Sequence, residues 1–136
     1  MAELARPHSQ TVMRSGLGRA RGLGSAKSGT AHWWAERVTS IALVPLTLWF
    51  ILVMFRLVAA PRIAVIAWAG HPLNATLMIA LVLITFHHTQ LGLQVVMEDY
   101  IHSEKARLGS ILAMKGLVAL LAIASTVAIL KLAFAV

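Results

Sequence analysis

The chain has 136 residues, 59% of them hydrophobic and 12% charged, with a mean hydropathy of +0.80. Soluble domains of this size carry about 25% charged residues, so this is not an ordinary soluble globule. Twelve Lys and Arg against five Asp and Glu give a formal charge of +7, and there is no cysteine. A disulfide, a thiolate zinc site, a thiol nucleophile and an iron–sulfur cluster held by the chain's own cysteines are therefore excluded.

Residues 1–31 are rich in Arg, Gly and Ser and lack hydrophobic periodicity. The run from Arg19 through Arg21 and Lys27 reads as a flexible, basic N-terminal tail. Its Arg-rich, acid-poor composition is also that of an organellar transit peptide. A secretory signal is not expected, because no apolar core of suitable length precedes Val38.

Three long apolar stretches occupy residues 32–136. Val38 to Phe55 is eighteen residues without a charge, which meets the usual threshold for a membrane span. Pro45 inside it predicts a kink, and Arg56, Pro61 and Arg62 end it. The second stretch runs from about Leu73 to Met97, apolar at first apart from Asn74 and Thr76, then interrupted by His87, His88, Gln90 and Gln94. The third holds fifteen uncharged residues, Gly116 to Leu130, between Lys115 and Lys131, both placed to snorkel toward a membrane surface. The sequence has no internal repeat and no alternating barrel pattern. It predicts an all-α membrane protein with three transmembrane helices, at about 38–58, 73–98 and 109–134.

Three spans put the tail and the loop at 98–107 on one side, and the first loop and the C-terminus on the other. Arg6, Arg14, Arg19, Arg21, Lys27, Arg37, Lys105, Arg107 and Lys115 fall on the first side; Arg56, Arg62 and Lys131 fall on the second. Nine basic residues against three place the N-terminus in the cytoplasm. His32, Arg37, Asp99 and Tyr100 then share one face of the membrane.

A titratable residue inside a span costs roughly 2.5–3.5 kcal/mol by insertion scales, and such residues tend to be functional. Histidine is less costly when neutral, and neutral imidazole is a good ligand for haem iron. On a helix His88 shares its face with Thr85, Gly92 and Val95, and Gly92, one turn away, lets a flat macrocycle approach the backbone. His87 lies about 100° round the helix, with Gln90, Leu91 and Gln94. Three roles are open for such a histidine: haem ligand, member of a proton or ion path, or hydrogen-bonded packing residue with Gly92 marking a helix contact.

Asp99 and Tyr100 follow His88 by about twelve residues, roughly 18 Å of helix, so a surface position for Tyr100 puts His88 near mid-bilayer. Tyr100 reads as an interfacial anchor and Asp99 as a solvated charge, or both serve the polar head of a ligand. His32-Trp33-Trp34 precedes the first span, and the two tryptophans read as interfacial anchors. Arg37 suits lipid phosphate or a buried carboxylate such as a haem propionate. His71 and His102 read as solvated loop residues.

Together these residues form a pattern: His32-Trp-Trp-x-x-Arg37-x-Thr39, a first span, then His88-x3-Gly92-x-Gln94-Val95-x3-Asp99-Tyr100. It resembles the small hydrophobic membrane anchor subunits of succinate dehydrogenase (succinate:quinone oxidoreductase, respiratory complex II), more narrowly the bacterial D type. The similarity covers most of the chain from about Leu17, and its most specific part is the second-span signature ending in Asp-Tyr.

The resemblance implies a four-subunit complex. A flavoprotein with FAD oxidises succinate, an iron–sulfur subunit carries the electrons, and two membrane anchors, one of them a cytochrome b-type subunit, share haem b and a ubiquinone-reduction site. It assigns the axial haem ligand to His88, although the His87-His88 doublet leaves the choice to helical geometry, with Gly92 on the haem face. It assigns quinone contact to Tyr100 with Asp99 beside it, and the haem propionates to Arg37 and His32. The expected location is the bacterial inner membrane, with the mitochondrial inner membrane as the alternative. The rival functions are a haem-free tether for soluble enzyme subunits and a small proton-conducting transporter subunit. Membrane lipid is an expected partner, and nucleic acid is not.

Overall fold

The computed structural model describes residues 15–17 and 28–135. Among the described residues there are four helices and no strand: α1 (Ser28–Leu57), α2 (Arg62–Gly70), α3 (Pro72–Tyr100) and α4 (Glu104–Ala133). Three of them are long and apolar enough to cross a membrane, over Gly29–Leu57, Pro72–Tyr100 and Glu104–Ala133. Hydrocarbon offers no partner for a backbone amide, so long uncharged segments must satisfy their hydrogen bonds internally, as helices do. The all-α, three-span reading holds. The basic tail lies outside the described residues over 1–14 and 18–27.

The boundaries differ from the sequence reading in three places. α1 begins ten residues before Val38, so His32, Trp33, Trp34 and Arg37 stand on the first span's own helix. The link between α3 and α4 is only residues 101–103, which places Asp99 and Tyr100 in the last turn of α3 and not in a loop.

The third difference is α2, a nine-residue helix inside the first connection. α1 closes with Val58 N–H donating to Met54 O at 2.9 Å and Ala60 N–H to Leu57 O at 3.0 Å. Pro61 then restarts the chain as an extended N-cap, its φ of −64° set by the ring. His71 ends α2 and begins α3 in one residue, with φ −70° and ψ 124°. A residue before proline is pushed out of the helical region, and Pro72 suits the first helical position of α3, which needs no amide donor. The corner is written in His71-Pro72.

α3 is the central element. It packs against α1 on one side and α4 on the other, while α2 contacts α3 and α4. Buried among the described residues are Ala69, Leu91, Met114, Val118 and, alone among polar residues, Thr39. Large apolar side chains such as Ile41, Leu52, Phe55, Leu120 and Ile123 face outward. Apolar surface on this scale belongs against lipid or other membrane helices.

Candidate functional site

The site is built where α1 meets α3. His88 is half-buried, and its Nδ1 is hydrogen-bonded to Oγ1 of Thr39 at 2.8 Å. The same Oγ1 donates to the backbone carbonyls of Ala35, at 2.7 Å, and Glu36, at 3.0 Å. Six other hydroxyls of the spans behave differently. Those of Ser40, Thr47, Thr76, Thr85, Ser110 and Thr126 bond back to carbonyls of their own helix. Thr39 alone among these reaches a side chain on another helix.

His87, the neighbour in the doublet, is exposed. Gly92 lies one turn from His88, and a Cβ built there meets nothing within 4 Å, so the surface beside it is open. The pair thus presents a half-buried imidazole and a bare stretch of backbone on one face of α3. No group of three or more His, Asp or Glu side chains converges among the described residues. Any metal taken by His88 must draw its remaining ligands from a macrocycle or another chain.

The other candidates are not gathered around His88. Arg37 is exposed, two residues from Thr39 and so about 200° round α1, and its guanidinium lies 5.5 Å from the centre of the Trp33 ring. Trp33 and Trp34 meet edge to face at 5.1 Å. Tyr100 is 78% exposed, and Asp99 beside it is also exposed. Both are available to a neighbouring molecule.

His32 shares the Thr39 face of α1, seven residues earlier. Its Nδ1 is 3.9 Å from Glu36 Oε1, and its Nε2 is shielded from solvent without a hydrogen-bond partner among the described residues. It lines a cleft of about 530 Å³ with Gln90, Gln94, Glu98 and Lys115. Within that cleft Gln94 Nε2 donates to Glu98 Oε1 at 2.8 Å. Lys115, read from the sequence as placed to snorkel toward a membrane surface, lines this cleft with Glu98.

Two features escaped the sequence reading. Thr39 stood in the motif without a role, and the cleft joins residues of three helices that the sequence does not group. A first span starting at Val38 puts Thr39 near the membrane surface, and only the earlier start of α1 at Ser28 brings it to the depth of His88. The rotation of α1 against α3 decides the pairing, and local periodicity does not report it.

The family model for the succinate dehydrogenase/fumarate reductase transmembrane subunit matches residues 11–130. The succinate dehydrogenase hydrophobic membrane anchor subunit of Rickettsia bellii is 38% identical over 104 residues, covering 75% of this chain and 82% of that protein. The subunit of the same name from Rickettsia typhi is 38% identical over 84 residues, 61% of this chain and 66% of that one. That of Paracoccus denitrificans is 35% identical over 81 residues, 60% and 63% of the two chains. No solved structure matches. Because the matched region takes in α1, α2, α3 and nearly all of α4 as one continuous stretch, the chain belongs to the family of succinate dehydrogenase/fumarate reductase transmembrane subunits.

Proposed function

We propose that this chain is a membrane anchor subunit of a bacterial inner-membrane succinate dehydrogenase, with its N-terminus cytoplasmic. It fixes a flavoprotein and an iron–sulfur subunit to the membrane together with a second anchor of cytochrome b type. With that second anchor it shares a b-type haem and a site where ubiquinone is reduced. The observation that carries this reading is the His88 imidazole, held from α1 by Thr39 at 2.8 Å on a membrane-spanning helix. An imidazole so placed needs a reason to be in lipid, and metal ligation supplies one.

The residues present fit a haem. One nitrogen of His88 is engaged by the protein and the other remains for iron, Gly92 leaves the neighbouring backbone bare, and a single histidine is what one face of a two-anchor haem requires. His32, on the Thr39 face of α1, is the nearer group for a propionate; the resemblance adds Arg37, which reaches that side only by leaving the Trp33 ring. When bound, the haem supplies a centre that holds one electron at a time. FAD and the iron–sulfur clusters belong to the partner subunits.

At the end of α3, the Tyr100 phenol donates a hydrogen bond to a quinone carbonyl oxygen and polarises it. Asp99, adjacent and exposed, tunes that site or relays to it a proton taken up from the aqueous phase as the oxygen gains charge. Neither residue oxidises succinate; that step lies in the soluble subunits.

The test is affinity purification in mild detergent, identification of co-purifying subunits, and a reduced-minus-oxidised spectrum of wild type, His88→Ala and His87→Ala. The expected result is three partner subunits and a b-haem band lost or strongly altered only in His88→Ala. Loss in His87→Ala with a normal spectrum in His88→Ala overturns the ligand assignment. A complex without a b-haem band in the wild type leaves a tether alone.

A further inference from the structure

We infer that Thr39 is a positioning residue for the His88 imidazole, fixing the tautomer in which Nδ1 carries the proton and Nε2 is free to bind iron. The inference rests on the haem reading of His88 and deepens it.

A threonine hydroxyl has one proton to give and two lone pairs to receive with. The Thr39 proton is directed at the α1 backbone, where the Ala35 carbonyl accepts it at 2.7 Å and Glu36 shares it at 3.0 Å. What remains toward His88, 2.8 Å away, is a lone pair. The Nδ1–H of the ring therefore donates to Oγ1, and in a neutral imidazole that leaves Nε2 unprotonated. The ring's second nitrogen is set by the bond that the first one makes.

Three further observations bear on the same point. Thr39 is 8% exposed and the only buried polar side chain among the described residues, so water does not compete for its oxygen. Its hydroxyl differs from the other span hydroxyls named above, all of which return only to their own helix. The two residues are 49 positions apart, so the bond also sets the rotation of α3 against α1, and with it the direction of the ring. An acceptor at Nδ1–H makes the imidazole a stronger donor to ferric iron, which favours the oxidised haem.

The experiment compares the purified complex carrying Thr39→Val, Thr39→Ser and His88→Ala with wild type. It reads b-haem content, the haem midpoint potential, the low-spin ferric signal in electron paramagnetic resonance, and the rate of haem loss in detergent. Valine keeps the branched shape and removes the acceptor. Thr39→Val is expected to shift the midpoint to more positive potential, move the ferric signal, and weaken haem retention by about 10-fold or more. Thr39→Ser, which keeps the hydroxyl, is expected to restore wild-type values. If Thr39→Val does not assemble, Thr39→Ala removes the same hydroxyl without a β-branch and is read the same way.

Equal perturbation by Ser and Val overturns the inference, because the methyl group and not the hydroxyl then matters. Wild-type potential, signal and retention in Thr39→Val also overturn it, while loss of haem in His88→Ala leaves the ligand reading standing. A wild-type haem spectrum in His88→Ala removes the ligand reading itself, and this inference with it.

Discussion

The side-chain amide of Asn74 donates to the backbone carbonyl of Trp68 at 2.8 Å, closing the corner between α2 and α3. The Trp68 ring is in turn stacked on Trp49 of α1, with centroids 6.0 Å apart and planes 30° from parallel. A polar side chain in the first turn of a membrane helix is thereby accounted for. Trp68 ties the short helix to α1 through its ring and to α3 through its carbonyl.

The same carbonyl also accepts the His71 amide, at 3.3 Å. Removing Asn74 therefore does not leave it unsatisfied, and the cost stays near the net value of one hydrogen bond, about 0.5–1.5 kcal/mol. Asn74→Ala is expected to lower the thermal midpoint of the purified complex modestly, measured by circular dichroism in detergent. An unchanged midpoint would show that the corner is held by Pro72 and the Trp49–Trp68 stack alone.

Ala69, in the same corner, has no exposed surface. Enlarging it forces neighbouring helices apart, and over-packing of this kind costs about 1–3 kcal/mol. Ala69→Leu is expected to destabilise the complex more than Asn74→Ala does in the same measurement. Ala69→Gly creates no overlap and costs about 1 kcal/mol through helix propensity alone. If leucine is tolerated as well as glycine, α2 is free to move off α3 and α4.

The three long helices were legible because charge is nearly absent across them and lysines and arginines flank them. α2 was not: Pro61 before it and His71-Pro72 after it are the punctuation of a loop, and nine residues between them are too few for a span. The start of α1 was hidden for a related reason, since Ser28, Gly29 and Thr30 are weak helix formers and are helical only as the extension of a strongly apolar run. At the site, the shared face of His88 and Gly92 followed from helical spacing. The Thr39–His88 bond and the grouping of His32, Glu98 and Lys115 did not, because both depend on how three helices are rotated about one another.

Tyr100 offers a test of the quinone reading that does not depend on haem. Tyr100 is 78% exposed at the end of α3, and replacing it by phenylalanine removes one hydroxyl that makes no hydrogen bond among the described residues. Tyr100→Phe is expected to reduce quinone reduction roughly 2- to 10-fold, the value of one neutral hydrogen bond. Succinate oxidation with an artificial acceptor should persist. Equal loss of both activities indicates failed assembly, and undiminished quinone reduction removes Tyr100 from the site.

The absence of cysteine makes the orientation directly measurable. Nine basic residues against three predict that the 101–103 link faces the cytoplasm and the connection before Pro61 faces the opposite side. Ser103→Cys and Ala60→Cys each introduce a single thiol into this subunit, at positions outside the three long helices. A membrane-impermeant maleimide added to intact spheroplasts is expected to label the subunit only in Ala60→Cys. In inverted vesicles it is expected to label it only in Ser103→Cys. The reverse pattern would place Tyr100 and Asp99 on the outer face, out of reach of the cytoplasmic electron-delivering subunits proposed above, and the assignment of that end of α3 would fall with it.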